Sequence, residues 1–134
     1  MDSKIIMIVE DDKDLMLAMS VRLIAQGFTT ISAHDAASAI QLAATRKPDL
    51  ILMDLGLPDS NGFVVMEIVS QLKSVSTVPI IVVSARPADV YRDAALMAGA
   101  KDYFQKPFDN DALVAAIYRE LKEEEHRLID APNS

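Results

Sequence analysis

Five short apolar runs, separated by stretches of helix length, constrain this chain more than any other feature. Residues 4–9, 28–33, 50–53, 79–83 and 102–105 have the length of strands, and most of them stop at polar or turn residues. Helix signals fill the gaps. Asp12 and Asp14 stand where carboxylates offset unpaired N–H groups, so a first helix is expected to run to about Gln26 and stop at Gly27. Its expected inward stripe is Leu15, Ala18, Met19 and Leu23, with Met16, Leu17, Val21 and Ile24 left over as a wide sheet contact or a docking face. A second helix covers about 36–45, begun by Asp35 or Ser38 and broken by Lys47-Pro48-Asp49. A third spans about 63–73 with Val64, Ile68 and Leu72 on one face, and a fourth about 88–97, closed by Gly99. The fifth starts near Asn110 and carries Leu113, Ile117 and Leu121 inward. Alternation of this kind predicts an α/β fold: a doubly wound, five-stranded parallel sheet of order 2-1-3-4-5 with five helices.

In such a sheet, chemistry collects beyond the C-terminal ends of the strands, at the switch between strands 1 and 3. Here those ends carry Glu10-Asp11-Asp12 and Asp54, while strand 4 ends at Ser84 and strand 5 at Lys106-Pro107. Acidic groups crowded together repel one another, and a hard divalent cation relieves the repulsion; Mg2+ suits an oxygen-only donor set that keeps several waters. An aspartate beside a metal can attack phosphorus, and Lys106 can offset charge on the phosphoryl oxygens. Asp59 is consistent with simple turn capping. The two histidines, His34 and His126, stand apart from one another in the sequence, and zinc is not expected.

The total composition narrows the function classes. A chain of 134 residues with 51% hydrophobic content makes one domain with a core of its own. The net charge of −7 argues against direct nucleic-acid binding, which needs clustered Lys and Arg. No cysteine is present for disulfide or thiolate chemistry. The first apolar run is far shorter than the roughly 20 residues of a membrane span, so no membrane insertion and a cytoplasmic location are expected.

Glu10-Asp11, Asp54, Ser84 and Lys106-Pro107 resemble, in order, the acidic pair, phosphoacceptor aspartate, hydroxyl residue and lysine of receiver domains of two-component response regulators. The segments Asp-Leu-Gly-Leu-Pro-Asp-Ser-Asn-Gly from Asp54 and Ala-Gly-Ala-Lys-Asp-Tyr-Phe-Gln-Lys-Pro-Phe from Ala98 are similar to that family's two most recognisable stretches. The resemblance covers about residues 4–121. It implies that Asp54 accepts a phosphoryl group from a histidine kinase or a histidine phosphotransfer protein. It further implies that Asp11, Asp54 and the backbone carbonyl of Gly56 ligate Mg2+, that Glu10 acts through water, and that Ser84 and Tyr103 form a switch pair acting on an unknown downstream protein. A cis peptide between Lys106 and Pro107 is also implied. The acidic run contains a third acid, Asp12, which the family register leaves to the helix start.

The alternative is an enzyme, a phosphohydrolase resembling the haloacid dehalogenase class. Its nucleophile is followed two residues later by an acid/base Asp, a position held here by Gly56, which cannot protonate a leaving group. A flavin protein of the same fold would need a phosphate-cradling loop that the sequence does not show. The expected organisation is a receiver domain at residues 1–121 followed by a helix extension and tail at 122–134. Arg119, Glu123 and Arg127 stand at i, i+4 spacing, so the last helix should pass Leu121. That extension is either a solvated tail or a surface that leads to another domain or to a second copy in a homodimer.

Overall fold

The computed structural model describes residues 3–130, with side chains as far as Lys122. In chain order its elements are β1 (Ile5–Val9), α1 (Lys13–Ala25), β2 (Thr29–Ala33), α2 (Ala36–Arg46) and β3 (Leu50–Met53). They continue with α3 (Gly62–Ser70), β4 (Ile80–Ser84), α4 (Ala88–Met97), β5 (Asp102–Gln105) and α5 (Asn110–Asp130). The strands form one parallel sheet in the order β2-β1-β3-β4-β5. This is the expected α/β architecture.

Strand alternation divides the core in two. Met7, Val9, Ile51, Met53, Ile80 and Val82 face one way, against Ala36, Ala39 and Ala43 of α2, Val65, Met66 and Val69 of α3, and Ala95 of α4. Ile6, Ile8, Leu50, Leu52, Ile81 and Val83 face the other way, against α1 and α5. Each such side chain, fully buried, contributes about 1.5–3 kcal/mol relative to exposure, and covering both faces is what a parallel sheet requires. The three central strands are therefore apolar at almost every position. Their polar ends are the first places where the backbone leaves the core.

Two helix faces differ from expectation. In α1 the buried residues are Met16, Met19 and Leu23; Leu15 is half-buried and Ala18 exposed. Apolar residues surround this helix, so spacing alone admits two neighbouring stripes, and packing selects the one containing Met16. Of the second set only Met16 reaches the core; Leu17, Val21 and Ile24 stay exposed, so the set does not widen the sheet contact as a whole. Helix α3 ends at Ser70 rather than near Lys73, and its buried face is Val65, Met66 and Val69, not Val64, Ile68 and Leu72. Residues 63–69 are apolar almost throughout, which leaves the stripe unspecified. Beyond α3 the chain tightens into i−3 turns, with Gln71 N donating to Ile68 O and Leu72 N to Val69 O, each at 3.0 Å.

The helix starts follow the predicted chemistry. Asp12 caps α1 by accepting from Asp14 N and Leu15 N at 3.0 and 3.2 Å. Asp35 caps α2 at Ser38 N, and Gly27 and Gly99 adopt the positive φ values that end α1 and α4. Helix α5 passes Leu121 and runs to Asp130. Of the pairs expected along it, those made by Glu123 lie outside the described side chains, while Arg119 donates to Asp102 Oδ2 at 3.1 Å.

Candidate functional site

Glu10 follows β1, Asp54 follows β3, Ser84 ends β4 and Lys106 follows β5, so four strand ends deliver their polar residues to one edge of the sheet. Glu10, Asp54 and Ser84 are buried, at 2%, 6% and 1% exposure. Carboxylates so far from water need partners. Lys106 supplies them: Nζ donates to Glu10 Oε1 and, at 3.0 Å, to Asp54 Oδ2. The other Asp54 oxygen accepts from Gly56 N at 3.1 Å. Burial alone would lower the Lys106 pKa, but its hydrogen bonds to Glu10 and Asp54, together with their charges, outweigh burial and raise it. Burial likewise pushes the Glu10 carboxyl up, against the opposing pull of Lys106 and of the Asp12 amide.

Glu10, Asp11 and Asp54 can each offer one carboxylate oxygen such that the three lie within 4.8 Å of one another. Asp12 is not in this group; its Oδ1 is engaged by the first turn of α1, the role the sequence assigned to it. Lys106-Pro107 is cis, as expected.

Ser84 and Tyr103 meet at the next layer. Ser84 Oγ accepts from Arg86 N at 3.2 Å, and the Tyr103 hydroxyl donates to Arg86 O at 2.7 Å. Tyr103 is 5% exposed, and burial raises the pKa of its phenol. Its ring thus already lies inward, as part of the core on the α2–α3–α4 side. The Arg86 guanidinium sits over the Tyr91 ring, 5.3 Å from its centre.

Three contributors escaped sequence reasoning. A Cβ on Gly62 would lie 2.5 Å from Asp54 O, so only glycine lets α3 approach the backbone of Asp54. Asp59 indeed caps, but at a distance: its carboxylate accepts from Ala36 N and Ala37 N, at 2.8 and 3.1 Å, and ties the loop after Asp54 to α2. His34 Nδ1 lies 3.2 Å from Glu10 O. A Gly after loop residues was a visible signal for the first. Neither of the other contacts leaves a mark at short sequence range.

A family model, that of the response regulator receiver domain, matches residues 6–118. This chain belongs to that family. Among curated relatives, the KDP operon transcriptional regulatory protein KdpE of Escherichia coli (strain K12) is 39% identical over 128 residues, which covers 96% of this chain and 55% of that protein. The chain spans about half the length of the curated relatives it matches. Among solved structures, a CheY-like response regulator receiver domain protein from Methanospirillum hungatei JF-1 superposes with a TM-score of 0.87 at 26% identity, covering 94% of this chain and 99% of that one. The receiver domain of the sensor histidine kinase PA1611 from Pseudomonas aeruginosa PAO1 has a TM-score of 0.83 at 27% identity, covering 90% and 99%, and holds a magnesium ion in its active site cleft. Among the described residues of this receiver domain, no helix is long and apolar enough to cross a membrane.

Proposed function

We propose that this receiver domain accepts a phosphoryl group on Asp54 and thereby switches a protein-interaction face. The observation that carries the reading is the bridge from Lys106 to Glu10 and Asp54, at an edge where three carboxylates converge. The donor set fits a hard cation: it is all oxygen, and its atoms lie within reach of a single ion. Asp11, Asp54 and the Gly56 carbonyl would hold Mg2+ directly, with Glu10 acting through water. Once bound, Mg2+ supplies charge neutralisation for phosphoryl transfer.

The chain's own residues do the rest. An Asp54 oxygen forms a bond to phosphorus while the bond from phosphorus to the donor's imidazole nitrogen breaks, and the electron pair leaves with that nitrogen. Lys106, charged and already at hydrogen-bond distance, meets the added negative charge. Ser84, at the end of β4, donates its hydroxyl to a phosphoryl oxygen and draws on the turn that Tyr103 holds through Arg86. Gly56 offers no acid for a leaving group, so the phosphohydrolase alternative is not favoured. The donor is a histidine kinase or a histidine phosphotransfer protein. The recipient of the signal is a protein, with no direct contact to nucleic acid, and the domain works in the cytoplasm. Residues 1–121 form the switch, and 122–134 follow it as a helix extension and tail, either solvated or leading to a further domain or a second copy.

Intact-mass measurement after incubation with acetyl phosphate and Mg2+ tests the reading. Wild type should gain one phosphoryl group, whereas Asp54→Asn, or wild type in EDTA, should gain none. Equal labelling of Asp54→Asn would refute it.

A further inference from the structure

Gln105 ends β5 one residue before Lys106, and neighbouring residues on a strand point to opposite faces. Lys106 turns toward the carboxylates, while Gln105 reaches α4. That helix begins behind Pro87, which gives its first turn no side-chain cap. The missing acceptor comes from across the fold, because Gln105 Oε1 accepts from Ala88 N at 2.8 Å. Lys106 N donates to Ser84 O at 2.8 Å, and the Tyr103 hydroxyl donates to Arg86 O. The turn from Ser84 to Ala88 is thus fastened to β5 at three points, and only one of them is the tyrosine.

Lys106 Nζ now serves two carboxylates. A phosphoryl group on Asp54 changes both the charge and the position that this ammonium must meet. Gln105 belongs to that strand end and holds the first turn of α4.

We propose that the end of β5 follows this ammonium and that Gln105 is a positioning residue that links Lys106 to α4, giving charge at Asp54 a route to that helix separate from Ser84 and Tyr103. The inference rests on the phosphoacceptor reading above. An ordinary helix cap would stabilise α4 equally with or without the phosphoryl group; a link makes the response of α4 depend on Gln105. Its exposed position means that substitution leaves the core intact.

The test compares wild type, Gln105→Leu and Gln105→Glu in the full chain, the last keeping an acceptor oxygen at the helix N-terminus. Each is treated with acetyl phosphate and Mg2+, its labelling is verified by intact mass, and its backbone amide spectrum is recorded. All three should be labelled to the same extent. Displacement of the amide signals from Ala88 to Tyr91 should shrink by roughly half in Gln105→Leu and persist in Gln105→Glu, and adding Tyr103→Phe to Gln105→Leu should reduce it further. Hydrogen exchange at Ala88 before labelling should quicken about fivefold in Gln105→Leu alone. Labelled Gln105→Leu with the full wild-type displacement, or Gln105→Glu as impaired as Gln105→Leu, overturns the link by itself. A wild type that gains no phosphoryl group overturns the phosphoacceptor reading and the link with it.

Discussion

Lys106 holds two carboxylates whose side chains are only 3% and 8% exposed, those of Glu10 and Asp54. Removing one partner of such a cluster strands the charges that remain, so Lys106→Met should lower stability by about 3–5 kcal/mol in metal-free buffer. Urea unfolding measures this, and Mg2+ should restore more stability to the variant than it adds to wild type, because the cation takes over part of the neutralisation. Tyr103 allows a signed test against pH. Its phenol titrates above the ordinary value because burial disfavours the phenolate, so the folded state keeps a proton that the unfolded chain has released. The corresponding stability is complete below about pH 10 and is lost as pH rises through the elevated pKa. Tyr103→Phe should cost about 0.5–1.5 kcal/mol at neutral pH, from the lost bond to Arg86 O, and should show a flatter decline in the alkaline range. A variant that loses stability as steeply as wild type above pH 10 would contradict this account.

Helices α2 and α4 take an N-terminal acceptor from outside their own sequence, α2 from Asp59 and α4 from Gln105. Each borrowed cap fastens a helix to a segment adjoining the candidate site. Loss of the Asp59 carboxylate frees two amides, so Asp59→Ala should destabilise the chain by about 1–2 kcal/mol, and exchange at Ala36 and Ala37 should quicken more than at Ser38, which keeps Asp35. Uniform acceleration along α2 would point instead to general loosening. The exposed face of α1 formed by Leu17, Val21 and Ile24 has no comparable tie among the described residues.

Across the whole molecule, two separate cores grip the two faces of one sheet, and α5 closes the second of them. Its described anchors, Leu113, Ala116, Ile117 and Leu121, all precede residue 122. Phe28 also packs on Tyr118 with ring centres 5.3 Å apart. Removing residues 123–134 should therefore move the thermal midpoint by no more than about 2–4 °C, which scanning calorimetry would measure. Phosphorylation of Asp54 should proceed as in the full chain. Sedimentation of the two forms then separates the readings of the extension: a truncation that alters self-association marks a contact with a second copy, and an unchanged coefficient marks a solvated tail.

The sequence by itself determined the layers and most of the site. Near-continuous apolar runs can be satisfied only by a sheet covered on both faces, and the polar residues that end those runs must then gather at one edge; Glu10, Asp54, Ser84 and Lys106 were legible for that reason. Capping by Asp12 and Asp35 was legible because its partners lie within three residues. Only the tertiary structure decided the buried faces of α1 and α3, where apolar residues occur around too much of the helix for a period to select one stripe. It also decided the partners made across the fold: Asp59 with α2, Gln105 with α4, Tyr103 with Arg86 and Arg119 with Asp102. Those contacts depend on where separate elements come to lie, and hydrogen bonds between distant residues impose no periodicity that a single chain could display.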